Sequence, residues 1–260
     1  MRHGASTQNT TVQTVHRVAA VLSAFQGRSL LRLTELAELT GLPKSTLHRI
    51  LGALMDEGLV VQDEDSHKYQ LSFRVAELSA GLLSANTVRR VARPILLELR
   101  DQTHESVHLA VLEHLDAVII DNEDSYYFVR EVNIPGQRLP AHAVSTGKVL
   151  LAYQWEGHVR ELLKQKPLRQ YTEQTITDQR QLFEELHQVR ALGYAISCGE
   201  LEQGVEAVAA PIFNEMNSIV AAVSVGGPSE RCHPRQEEFI RAVCDAGQRI
   251  TEAMRLAGWR

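Results

Sequence analysis

The sequence predicts an α+β protein: an N-terminal winged helix-turn-helix domain, a linker helix, and a larger C-terminal domain around one sheet. Three observations predict it. Residues 34–58, TELAELTGLPKSTLHRILGALMDEG, carry the pattern of a short helix, a tight turn and a second helix whose two faces differ in chemistry. Two β-like runs, Leu59-Val60-Val61 and Tyr69-Gln70-Leu71, follow around the polar loop 62–68, and helices followed by such a hairpin make a winged helix. Beyond residue 105 helical and strand patterns interleave, as they do when helices pack on a single sheet.

Each element has its own signal. Val12, Val15, Val18, Ala19, Leu22 and Phe25 recur at helical spacing and set a first helix over about 11–26, stopped by Gly27. Thr34 is the expected cap of the second helix, with Leu36, Ala37 and Leu39 inside. Gly41-Leu42-Pro43 makes the turn, and Pro43 pre-sets the first turn of the third helix at no hydrogen-bond cost. There Leu47, Ile50, Leu51 and Leu54 form one apolar stripe, and Ser45, Arg49 and Gly52 point the opposite way. Gly58 is the expected left-handed stop. Phe73, Leu78 and Leu82 continue as a linker helix over 73–88, and Val91, Ile95, Leu96 and Leu99 carry a further helix to about 103. Strands are expected over 106–113, 117–121, 126–132, 194–198, 205–213 and 219–225, with helices over 146–153, 156–164, 178–192 and 234–257. The predicted boundaries are 1–72 for the winged domain, 73–88 for the linker and 89–260 for the C-terminal domain.

Composition narrows the function. A chain of 260 residues with 44% apolar and 23% charged residues has the balance of a soluble globular protein. It has no apolar run near the ~20 residues a membrane span needs. The start, MRHGASTQNTTVQ, lacks the apolar core of a signal peptide, so a cytoplasmic protein is expected. Cys198, Cys232 and Cys244 are widely spaced and suit reduced thiols. Residues 1–72 balance seven Lys and Arg against seven Asp and Glu, so the net charge of −5 falls on the remainder. A neutral domain binds DNA weakly as a monomer, because phosphate neutralisation supplies much of the affinity, and dimers are therefore expected.

The outward face of the third helix carries the sharpest chemistry. Lys44 starts it beside the expected phosphate, and Ser45, Thr46, His48 and Arg49 are candidates for base edges and flanking phosphates, Arg49 with the fork that fits guanine. His67 and Lys68 lie on the wing. The stretch LPAHAVSTGK, residues 139–148, is not a phosphate loop, which would need Gly at His142 and a hydroxyl at Val149. It opens a helix at Ser145-Thr146-Gly147, where free N–H groups and hydroxyls favour an anion; ordinary capping competes as an explanation. His104, His108, His114 and His142 lack metal-ligand spacing. No nucleophile–base pair, paired-carboxylate signature or dinucleotide loop emerges, and no cofactor or metal is expected.

From about Thr14 to Leu256 the chain resembles IclR-type transcriptional regulators. The marks are LTELAELTGLPKSTLHRILGALMDEGLV, YQLSFRVAELS, ARPILLELRDQTHESVHLAVLE, LPAHAVSTGKVLLA, YTEQTIT, VRALGYAIS, and VAAPIF followed by VSVGGPSER. The resemblance implies a GAF-like effector-binding C-terminal domain and control of a catabolic operon by a small organic acid or aromatic effector. It further implies binding of a double-stranded DNA operator as a homodimer or a homotetramer. It assigns Leu139, Ser145 and Thr146 to the effector pocket, with Phe128 and Glu131 before the Pro/Gly loop, Ser197, Val205 and Ala207 on a strand pair, and Ser224 and Gly226 alternating before GlyPro. Two departures stand out. The acidic run usual after the GYA-like strand is Ser197-Cys198-Gly199-Glu200, and the frequent Arg-Cys of the next strand is Glu206-Ala207. The effector preference of better-known members therefore does not transfer. The expected function is a repressor; an activator of the same type, and a small-acid enzyme with a passenger helix-turn-helix, are the alternatives.

Overall fold

The computed structural model describes residues 5–78 and 87–257, with side chains from residue 13 onward. The chain divides into two compact units between Ala85 and Asn86. Of the predicted linker helix, residues 73–78 are helical and 79–86 lie outside the described residues.

The first unit comprises α1 (Ala5–Ser23), α2 (Leu33–Thr40), α3 (Lys44–Asp56), β1 (Val60–Gln62) and β2 (Tyr69–Leu71). Helix α1 begins ahead of the apolar spacing that marks it. The stripe on α3 packs with Leu36, Val21, Phe25, Val60 and Tyr69 into one core. β1 and β2 pair antiparallel, and Leu31 adds a bridge to Tyr69. Thr34 is not the cap of α2: the helix starts at Leu33, two residues earlier than that cap would place it, Arg32 takes the cap position, and Glu35 reaches back to the Arg32 N–H at 2.6 Å. That bond fixes the start without a capping hydroxyl, because an acid at the third helical position can satisfy the cap N–H. Helix α3 ends as predicted at Gly58, φ 68°. The Gly58 N–H bonds the Met55 carbonyl and the Leu59 N–H bonds the Leu54 carbonyl, the paired closure that needs a left-handed residue.

The second unit comprises α4 (Thr87–Thr103), β3 (Ser106–Glu113), β4 (Asp116–Glu123), β5 (Arg138–Pro140), α5 (Ser145–Ala152), α6 (Glu156–Gln165), α7 (Gln179–Leu192), β6 (Ala195–Cys198), β7 (Val205–Phe213), β8 (Ile219–Pro228), the short α8 (Ser229–Cys232) and α9 (Gln236–Leu256). Its antiparallel sheet has the order β5-β4-β3-β8-β7-β6. The two faces bury different side chains. Val107, Leu109, Val208, Ile212 and Val223 meet α4 and α9, whereas Ala110, Ala117, Ala209 and Ala222 meet α5, α6 and α7. The small residues let α5 lie close to the sheet, and all of its residues are buried.

The expected strand over 126–132 does not form. Tyr126 lies over the Arg100 guanidinium at 4.6 Å and Tyr127 over Arg231 at 4.4 Å, so these rings cover cations instead of a sheet face. The edge of β4 is taken by β5, a strand the sequence analysis does not assign. The last helix starts at Gln236, and Pro234 lies in a single 3-10 turn before it.

Candidate functional site

The predicted functional residues form two groups, one in each unit. Helix α3 buries Leu47, Ile50, Leu51 and Leu54. The helical repeat then turns Ser45 and Arg49 outward. Lys44, Ser45, His48 and Arg49 are exposed and Thr46 is half-buried. None of these side chains has a partner among the described residues. The first turn of α3 carries no acid, so its N-terminal partial charge is free to attract phosphate.

On the wing, His67 is exposed and holds a left-handed turn at φ 53°, and Lys68 is half-buried. Asp63 closes this turn by accepting from the Ser66 N–H at 2.8 Å and the Ser66 hydroxyl at 2.5 Å. Those bonds hold its carboxyl below the usual range. Glu64 and Asp65 are exposed at the tip. Attraction to phosphate at the wing therefore rests on His67 and Lys68, flanked by like-charge repulsion at the tip.

In the second unit a cavity of about 360 Å³ lies beside the first turn of α5. Strand register builds its floor: Ser197, Ala207 and Gly226 stand in one cross-strand row, and Ser224 opposite His108 in the next. Small side chains in those rows leave the volume. Every residue the sequence analysis assigns to the pocket lines this cavity except Phe128 and Gly226. Phe128 is 97% exposed and is not among the residues that line the cavity. Gly226 lies behind the Glu131 carboxylate, which occupies the space of a side chain at that position.

His108, Arg130, Asn133 and Glu200 also line the cavity. Asn133 Nδ2 donates to Glu131 Oε1 at 2.8 Å and lies 3.4 Å from His108 Nε2. Lys148 is 1% exposed and neither solvated nor free for a ligand. Its ammonium bonds Glu200 Oε1 at 2.6 Å, Glu185 Oε1 at 3.1 Å and the Ile196 carbonyl at 3.2 Å. Burial pushes the Glu200 carboxyl up, against the pull of Lys148. Arg130 Nε, Glu131 Oε2 and Glu200 Oε2 are buried with no hydrogen-bond partner among the described residues. Each such atom costs roughly 1–3 kcal/mol unless something polar meets it.

Ser145 and Thr146 line the same cavity, and capping does not occupy them. Val144 holds the cap position of α5 in extended conformation without a side-chain cap bond. A Cβ at Gly147 would lie 2.3 Å from the Ala141 backbone, so the glycine is what lets α5 start against the turn Ala141–Ala143. Two of the histidines weighed as metal ligands have local roles: His104 and His114 hold left-handed turns at φ 62° and 58°. His142 Nε2 lies 3.0 Å from the Arg169 carbonyl.

Comparison with known proteins covers both units. The family model "IclR helix-turn-helix domain" matches residues 14–64, and "Bacterial transcriptional regulator IclR C-terminal" matches residues 80–252. The HTH-type transcriptional regulator KdgR of Escherichia coli K12 is 32% identical over 95% of this chain and 94% of its own. The transcriptional repressor IclR of the same organism is 34% identical over 85% of this chain and 82% of its own. Among solved structures, an IclR homolog from Microbacterium hydrocarbonoxydans complexed with 4-hydroxybenzoate superposes with a TM-score of 0.79 at 27% identity, covering 93% of this chain and 98% of that one. With both domains matched in order along the sequence, the chain belongs to the IclR family of helix-turn-helix transcriptional regulators.

Proposed function

We propose that this regulator is a repressor that reads a pseudo-palindromic operator as a dimer, or as a pair of dimers, and is released or retained by a small carboxylate in the cavity of the second unit. The observation that carries the DNA reading is the set Lys44, Ser45, His48 and Arg49: polar, exposed and without side-chain partners among the described residues, on a helix whose other side buries Leu47, Ile50, Leu51 and Leu54. Lys44 takes phosphate, Ser45, Thr46, His48 and Arg49 face the groove, and His67 and Lys68 meet the flanking backbone. The repressor sense follows the relative named as a repressor.

For the effector, the hydroxyls of Ser145 and Thr146 and the first-turn N–H groups of α5 suit a carboxylate. Glu131 Oε2 and Glu200 Oε2 suit hydrogen-bond donors on the same molecule, and Leu139, Val205 and Ala207 supply apolar contact. The 4-hydroxybenzoate complex of the relative supports a small acid of this size. The test is a mobility shift with the DNA upstream of the chain's own gene. Specific binding is expected, and Arg49→Ala weakens it by about 1–3 kcal/mol and relaxes the preference at one base pair. Unchanged binding by Arg49→Ala rejects the groove contact; an effector response that survives Ser224→Phe rejects the cavity.

A further inference from the structure

A second cleft of about 350 Å³ lies in the same unit, against the last residues of β7. Its origin is a short strand. β6 pairs only with Glu206–Ala209 of β7, so Ala210–Phe213 has no strand on that edge. Helix α9 meets part of the edge: Thr251 Oγ1 accepts the Phe213 N–H at 3.1 Å, and Gly247 brings the helix against the Pro211 carbonyl. The gap that remains has a floor of Tyr153 and Phe213, rings 5.1 Å apart and at 80°, beside Pro211 and the half-buried Cys244.

The polar groups at this cleft are unspent. Gln248, Glu252 and Arg255 project from successive turns of α9 onto its rim. Glu252 and Arg255 are three residues apart, the spacing at which Arg235 and Glu238 do pair, at 2.6 Å, near the start of the same helix. Glu252 and Arg255 do not pair, and neither they, Gln248 nor the Tyr153 hydroxyl has a hydrogen-bond partner among the described residues. Opposite charges held apart over an aromatic floor match the two ends of a zwitterion.

We propose that this cleft is a second ligand site, for a free α-amino acid with an apolar or aromatic side chain. The carboxylate goes to Arg255, the ammonium to Glu252, and the side chain against Tyr153 and Phe213. The cleft is separate from the first cavity, with α5 running between them. Ser145 and Thr146 at one end of α5 line that cavity, and Tyr153, directly after its other end, lines this one.

The test uses the full chain, with L-phenylalanine and L-leucine as probes, by calorimetry and by the alkylation rate of Cys244 in a Cys198→Ser background. One equivalent per chain is expected, with Cys244 protected and with Ser224→Phe, in the first cavity, leaving the affinity unchanged. Arg255→Gln, Glu252→Gln, and the probes 3-phenylpropanoate and phenethylamine are each expected to bind at least about tenfold more weakly, as loss of one charge-assisted contact requires. Both substituted residues are exposed, so these variants test the site without emptying the core. Absence of heat and of protection with both probes overturns the proposal. So does equal binding of 3-phenylpropanoate, or binding that Ser224→Phe removes and the rim variants do not.

Discussion

A glycine inside a helix costs roughly 1 kcal/mol against alanine, and Gly52 sits inside α3 with open space where its Cβ would be. Nothing in the folded unit requires it. It shares the outward side with Ser45 and Arg49, and under the proposed groove contact it would let a DNA backbone approach the helix. Gly52→Ala is accordingly expected to raise the melting temperature and to weaken operator binding at once, read by a thermal melt and a titration; a tighter or unchanged complex rejects the close approach. His142 makes a different residue-level prediction. Burial holds its imidazole below the ordinary value, with the Arg169 carbonyl pulling the other way. The folded chain thus takes up this proton less readily than the unfolded one. Stability from this group is complete above the ordinary value of about 6.5 and is lost as pH falls through it toward the depressed folded value. Denaturant midpoints taken between about pH 7.5 and about pH 5.5 are expected to fall, and His142→Asn to flatten that fall. A slope unchanged in the variant assigns the loss to other groups.

Helix α5 concentrates the physics of its unit: eight residues, all buried, held over alanines of the sheet and started by Gly147 against the Ala141 backbone. Because the obstructing atoms are backbone, Gly147→Ala cannot be absorbed by a rotamer. It is expected to cost about 1–3 kcal/mol or more, seen as a lower melting temperature, and to displace Ser145 and Thr146 so that effector response is lost; a wild-type melt would show that the helix start tolerates a side chain. The same elements explain what the sequence discloses. Helices α3, α7 and α9 and strands β3 and β7 were legible because each carries its own periodic pattern, and α3 its own stop at Gly58, φ 68°. The segment 126–132 has strand-forming residues but its rings are spent on Arg100 and Arg231, a tertiary contact no local pattern reveals. His108 joins the cavity only through its register with Ser224, and Lys148 is silenced by Glu200 and Glu185, distant in sequence. The α3 face needed only the helical repeat, whereas the cavity needed strand register as well.

For the whole molecule, the charge distribution fixes how affinity depends on conditions. With a winged unit of balanced charge and with Lys44 and Lys68 proposed to meet phosphate, operator affinity is expected to fall with salt less steeply than for a strongly basic binder, and Lys44→Ala is expected to lower the slope of log K against log salt by about 1. The effector acts on this balance only through differential affinity for two arrangements of the chain. Linkage then makes a strict demand. If saturating effector weakens operator binding by a given factor, commonly about 5–150-fold, saturating operator must weaken effector binding by the same factor. Anisotropy titrations of labelled operator with and without a small carboxylate found to bind the first cavity, paired with calorimetry of that acid on free and operator-bound protein, measure both sides of the cycle. Equal factors at every protein concentration identify a change within a fixed assembly. Should the factor grow on dilution, the effector instead drives dimers apart from tetramers, since only an assembly equilibrium makes the coupling depend on protein concentration.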